Sequence, residues 1–170
     1  MKKLIGILFL LAFVISLTAC GKAPAEEIPV PEMTEAPAEE ALETSAPEQF
    51  TYTVYVPNDN ADGFDEISVS TAEISPEAVL AELKRQNVLP EAVVINSFSR
   101  DDALITVDFN QAFADIVCSM GTSGELMIVG SVVNTFLNAF HAETLSFTVD
   151  GGVLESGHTI YDFPMQSFSY

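Results

Sequence analysis

The stretch TSGELMIVGSVVNTFLNAF, residues 122–140, decides how this chain folds, because it is long, free of basic residues and apolar with a helical period. Leu126, Val129, Val133, Phe136, Leu137 and Phe140 recur at the spacing of one helix face, so the pattern predicts a helix from Thr122 to about Phe140. Thr122-Ser123-Gly124-Glu125 has the form of a capping box, in which Thr122 and Glu125 each satisfy the other's backbone donor. On the opposite side Ser131, Asn134, Thr135 and Asn138 make a narrow polar face without a charge. Depletion of charge marks the centre of protein interfaces, so these four residues are the candidate interaction face. A helix buried on two sides within its own domain has the same pattern.

Working outward, Ala103 to Phe109 alternates, with Ile105, Val107 and Phe109 toward a core and Thr106 and Asp108 outward, which reads as a strand. Val93 to Phe98 reads as its hairpin partner, joined through Ser99-Arg100-Asp101-Asp102. On the far side of the helix, Thr144 to Val149 is a strand closed by the turn Asp150-Gly151-Gly152, and Val153 to Tyr170 is expected to return along the sheet. Earlier in the chain, Thr51 to Val56 is rich in β-branched and aromatic residues, and a weaker strand runs from Phe64 to Ser70. Ser75 as N-cap, Pro76 at the first helical position and Glu77 in the first turn open another helix, stapled by Ile74 onto Val79. It ends before Pro90, which disfavours helical geometry at Leu89. Strands and helices in this order predict a mixed α/β (α+β) fold: a two-layer sandwich in which two helices cover one face of a small sheet of three or four strands.

Residues 1–49 are of a different kind. Lys2 and Lys3 precede a charge-free apolar run from Leu4 to Leu17, too short for a comfortable membrane span and suited to a signal peptide. The run ends in Leu17-Thr18-Ala19-Cys20-Gly21, which resembles the lipobox of bacterial lipoproteins and marks residues 1–19 as the signal peptide and Cys20 as the acylated residue. Each buried acyl CH₂ contributes about 0.8 kcal/mol, so two or three chains would hold the protein on the extracytoplasmic face of the cell membrane. Residues 20–49 are dense in Ala, Pro and Glu, the composition of a disordered linker. The domain is then expected over 50–170.

All 25 acidic residues lie beyond Cys20, against Lys22, Lys84, Arg85 and Arg100, so the chain from Cys20 onward carries a formal charge of −21. That balance excludes nucleic acid as a partner and opposes contact with anionic lipid. With Cys20 consumed by lipid, Cys118 has no disulfide partner, and its setting among Ile116, Val117 and Met120 predicts a buried thiol.

Few residues stand at the spacings that catalysis or metal binding requires. Asn58-x-Asn60-x-Asp62-Gly63 opens like a calcium loop, but Val69 stands where a bidentate Glu is needed, and an Asx-rich turn accounts for the same residues. His141 and His158 have no metal-ligand spacing to another His or Cys, and His141 suits the negative end of a helix. No serine has hydrolase-elbow context, and no phosphate-binding loop is present. These residues imply no catalytic set, no metal and no cofactor; an enzyme would need a cleft gathering Asp108, His158 or Tyr161 with perturbed acidities.

Several ordered segments resemble one known family: Ile105-Thr106-Val107-Asp108-Phe109 with Phe113, Gly124-Glu125-Leu126, Val132-Val133-Asn134-Thr135-Phe136, and Phe147-Thr148-Val149-Asp150-Gly151. The pattern is similar to the GerMN domain of sporulation and spore germination proteins and extends over residues 52 to about 163, including Gly157-His158. The resemblance implies a secreted or lipid-anchored domain of sporulating Gram-positive bacteria, a fold like that of ring-building motifs, and a family not known for catalysis. Spore proteins of the GerM type carry two such domains in tandem, whereas this chain has room for one. The expected function is thus a membrane-anchored, non-catalytic interaction module that binds an envelope protein or copies of itself. The alternative is an envelope lipoprotein capturing a small molecule or a cell-wall fragment.

Overall fold

The computed structural model describes residues 48–169, so the signal peptide, Cys20 and almost all of the linker lie outside the described residues. Among the described residues eight elements follow in order: β1 (Phe50–Pro57), β2 (Phe64–Thr71), α1 (Pro76–Arg85), β3 (Ile95–Asp101), β4 (Leu104–Phe109), α2 (Gln111–Ser119), α3 (Thr122–Phe140) and β5 (Thr144–Val149). The mixed α+β fold expected from the sequence is what forms.

Strands β3, β4 and β5 make one sheet in that order, β3–β4 antiparallel and β4–β5 parallel. A parallel neighbour requires a crossover, which α2 and α3 supply between β4 and β5. The sheet therefore has three strands, and β1–β2 forms a separate antiparallel ribbon. The ribbon does not join the sheet because β1 pairs with β2 on one edge and meets α3 on the other, where Thr53 N donates to Asn138 Oδ1 (2.6 Å) and Tyr55 N to Thr135 Oγ1 (3.0 Å).

The alternation in β4 holds: Ile105, Val107 and Phe109 are fully buried, with Thr106 and Asp108 half-buried. Phe109 stacks on Phe113 with ring centroids 4.4 Å apart, and both meet Phe147 edge-on at 6.4 and 5.2 Å. Phe136 of α3 closes the cluster edge-on to Phe109 at 6.4 Å, so sheet, α2 and α3 share one aromatic centre. At the start of α1, Ser75 Oγ accepts from Ala78 N at 3.2 Å, the cap its sequence predicts.

Three features differ from expectation. A third helix, α2, follows β4 directly; its Asn110 N-cap makes no side-chain cap bond and instead holds the preceding loop, accepting from Val94 N and donating to Ala92 O, both at 2.9 Å. Strand β3 starts later and runs to Asp101, leaving only Asp102 and Ala103 between the paired strands. The chain before it is a turn, with Val93 N bonded to Pro90 O. The capping box at 122–125 does not form, since α3 starts from Gly121 with no side-chain cap and the Glu125 side chain turns inward.

After β5, Asp150 and Gly151 both take positive φ and Val149 and Gly152 exchange both backbone hydrogen bonds, a two-residue turn with the twist strands prefer. The tail then returns along the sheet as expected: Tyr161 N donates to Leu154 O, and Leu145 and Met165 exchange bonds of 2.9 and 2.8 Å on the outer edge of β5. Among the described residues no helix is long and apolar enough to cross a membrane.

Helix α3 ends with His141 in the left-handed region at φ +49°, its neighbour Ala142 N bonding back to Leu137 O. A side chain is penalised there and Gly is not. His141→Gly is expected to raise the unfolding free energy by about 0.5–1 kcal/mol, seen as a higher denaturant midpoint at unchanged slope; an unchanged or lower midpoint would contradict the strained cap.

Candidate functional site

The polar face of α3 exists but does not face solvent. Ser131 and Thr135 are fully buried, Asn134 nearly so, and Asn138 is half-buried. Thr135 and Asn138 are the acceptors for β1 described above. Asn134 grips the tail, with Nδ2 donating to Phe168 O at 2.9 Å and Oδ1 accepting from Phe168 N at 2.7 Å. Ser131 Oγ is buried without a hydrogen-bond partner. The candidate interaction face is thus covered from within the domain: the absence of charge reflects burial on two sides, and Asn134, Thr135 and Asn138 bond to backbone that has no strand beside it on that side.

Glu125 organises a second cluster that the sequence reading assigned to helix capping. It is 1 % exposed and lies in the first turn of α3, where the helix dipole favours a carboxylate. Its Oε1 accepts from Ser156 Oγ and Tyr161 Oη, both at 2.6 Å, and its Oε2 lies 2.8 Å from His158 Nδ1. Ser156 Oγ also accepts from the backbone N–H groups of His158 and Thr159 at 3.1 Å, which folds the 156–159 turn around it. Burial pushes the Glu125 carboxyl up, and the bonds from Ser156, Tyr161 and His158 more than offset this, so the net direction is down from 4.5. Burial first, then the adjacent Glu125 carboxylate, drives the Tyr161 hydroxyl well above the ordinary tyrosine range.

Chemically, this is a charged pin between the start of α3 and the returning tail. The carboxylate also orients the His158 ring, whose side chain is 43 % exposed, leaving Nε2 directed away from the pin. Both nearby hydroxyls donate to the carboxylate rather than to the imidazole, an arrangement that serves folding before proton transfer. Two of the three residues that an enzyme reading required, His158 and Tyr161, do meet; Asp108 does not join them. It accepts from Thr148 Oγ1 (2.5 Å), Gly151 N (2.8 Å) and Asn96 Nδ2 (3.0 Å), and the Thr148 bond leads in holding its carboxyl below the usual range against desolvation. Its work is to pin the turn after β5.

Cys118 is exposed, not buried as expected, with Sγ 4.0 Å from Glu155 O. Once 111–119 is a helix, Phe113, Ala114 and Val117 take its inner face and Cys118 falls outside it. The calcium-like loop is an Asx-rich turn: Asn58 Nδ2 donates to Asp62 Oδ1 at 2.9 Å, Asp62 N donates to Asn58 Oδ1 at 3.2 Å, and Val69 pairs with Tyr52 within the ribbon. No group of three potential metal-ligating side chains occurs among the described residues.

Beside Asn134 and Asn138 opens a groove of about 980 Å³, between the tip of the β1–β2 ribbon, the second half of α3 and tail residues 166–169. Tyr55, Asp62, Glu66 and Glu143 line it, and no Lys or Arg does. Its position was not legible in the sequence, since its walls come from four separate segments.

A small α+β domain with a tail laced back onto its central helix is the class these features define. Residues 53–155 match the Germane family, described as sporulation and spore germination, and the chain belongs to that family. Among solved structures it is similar to a Clostridium perfringens protein described as a candidate lipoprotein, at 12% identity and TM-score 0.42, over 69% of this chain and 87% of that one. It is also similar to the tandem GerMN domains of the sporulation protein GerM from Bacillus subtilis, at 19% identity and TM-score 0.46. That match takes in 76% of this chain and 49% of GerM's, so the chain spans about half of the tandem structure. No curated protein matches the sequence.

Glu125→Gln keeps the shape but removes the charge and sets an NH₂ donor among three donors, and is expected to cost about 2–4 kcal/mol near neutral pH. Because the folded-state pKa of Glu125 lies below its unfolded value, the contribution is fully present above pH 4.5 and fades as pH falls through the folded value. Denaturation curves from pH 7 to 3 should therefore show the gap between wild type and variant narrowing below pH 4.5; a gap constant with pH would remove the charge from the account.

Proposed function

We propose that the protein is a lipoprotein held by acyl chains on Cys20 at the extracytoplasmic face of the cell membrane, its domain acting without catalysis as an interaction module in sporulation or germination. The observation that carries this reading is the family match over residues 53–155. The signal-like run, the small residues Thr18 and Ala19 before Cys20 and the acidic linker support the tether, and the charge of −21 supports a domain kept off an anionic membrane. The partner is an envelope protein or a second copy of the chain. A second reading, capture of a small molecule or wall fragment, is favoured by the groove beside Asn138.

Complementation in the sporulating host tests both halves. Deletion is expected to lower the yield or germination of spores, and His158→Ala and Cys118→Ser genes should restore it as fully as wild type. Cys20→Ala should fail, with loss of incorporated labelled fatty acid and release of the chain from the membrane fraction. Failure of His158→Ala while the protein accumulates normally would overturn the non-catalytic reading, and retained label in Cys20→Ala would overturn the tether.

A further inference from the structure

The way the tail is held suggests what else the groove receives. Met165 is firmly fixed, buried and paired in both directions with Leu145. Beyond it Gln166, Ser167 and Ser169 are exposed, and the hydrogen bonds of this segment among the described residues run through Phe168 alone. Asn134, 4 % exposed, satisfies both the N–H and the C=O of that one residue, as a neighbouring strand would. An amide that reads one residue's backbone in this way accepts any extended peptide.

Selectivity comes from the ring. A Cβ on Gly130 would lie 2.6 Å from Phe64 Cζ and 3.3 Å from Phe168 Cγ, so the bare helix position seats the Phe64 ring and, beside it, the ring of Phe168. The adjoining groove adds charge: Asp62, Glu66 and Glu143 line it with no basic residue, beside the phenol of Tyr55 and the amide of Asn138. Nothing in the neutral segment Gln166-Ser167-Phe168-Ser169 complements those carboxylates.

We propose that the seat filled by Phe168 is a docking site for an extended segment of a protein partner, aromatic at its centre and flanked by Lys or Arg, and that the segment beyond Met165 is a displaceable strap occupying it in cis. The incoming backbone takes the Asn134 amide, its ring lies on Gly130, and its basic flanks meet Asp62, Glu66 and Glu143. A tethered strap competes at a high effective concentration, so the free chain is held partly closed and a partner must outbid its own tail. This inference rests on the interaction-module reading and names the partner's chemistry.

The test is fluorescence anisotropy with a labelled peptide, Lys-Gln-Ser-Phe-Ser-Lys, on the full chain in detergent and on a chain ending at Met165. The strapless chain is expected to bind at least tenfold more tightly than the full chain. Replacing the peptide's Phe by Ala, replacing its Lys residues by Glu, or introducing Asn134→Leu in the protein should each weaken binding at least tenfold, and affinity should fall with added salt. Equal affinity with and without the strap, or indifference to the Phe→Ala peptide, would overturn the proposal. Tighter binding of an uncharged peptide with the chain's own tail sequence would do so as well, assigning the seat to a second copy. Should circular dichroism show the shortened chain unfolded, Phe168→Ala in the full chain empties the same seat, and the same gain in affinity is required of it. Because binding is measured apart from spore formation, a failed complementation alongside specific peptide binding would sink the broader reading and leave the docking site standing.

Discussion

A buried strand edge must find acceptors for its N–H groups, and in this domain a helix supplies them. Thr53 and Tyr55 of β1 donate to Asn138 and Thr135 of α3, and Phe168 of the tail exchanges both backbone bonds with Asn134. One helical face thus serves as a strand for two segments that have none beside them on that side. Leaving such groups unsatisfied would cost on the order of 1–3 kcal/mol each, enough to matter in a domain of ordinary stability. The other faces of α3 are apolar and carry the core, so the ribbon, sheet, α2 and tail all take their positions from this one helix.

Glu125 does for the first turn of α3 what Asn134 does for the middle. A carboxylate with 1 % exposure is tolerable because three side-chain donors converge on it, and removing any one leaves charge poorly compensated. All three donors come from residues 156–161, so the cluster joins the tail to the helix with direction and charge rather than with apolar area. The result is a C-terminal segment fixed at three places of different character: the Glu125 cluster, the Met165 pairing and the Asn134 grip. The last holds a single residue, Phe168, through its backbone alone.

Membership in the Germane family sets the biological frame, sporulation and spore germination. Within the domain, the hydroxyls near His158 are spent on Glu125, and Asp108 is spent on a turn. The chain from Cys20 onward carries a formal charge of −21, and the groove beside Asn138 has acidic side chains and no Lys or Arg in its lining.

Local patterns were enough for the elements whose signals are local. The period-two run at 105–109, the Ser75-Pro76 cap, the Asp150-Gly151 turn and the long apolar period of 126–140 each specify their own backbone, and each backbone formed as read, although Leu126 falls outside the core and Ile128 and Val132 join it. Helix α2 escaped because its Asn110 is engaged across to residues 92–94, so it has the residue type of a cap without the cap; Cys118 was then misplaced for want of that helix. The capping box failed for a related reason: Glu125 had a local partner in Thr122 and a stronger distant set in Ser156, His158 and Tyr161, 31 to 36 residues away. The uncharged face of α3 was visible as a pattern, but whether solvent, a partner or the chain's own backbone meets it depends on where β1 and the tail arrive. Sequence by itself determined most of the helices, strands and turns, α2 and the start of β3 excepted, because caps and periodicities act within a few residues. Only the tertiary structure decided which polar side chains would be spent inside the domain, because a hydrogen bond goes to whichever donor folding brings within about 3 Å.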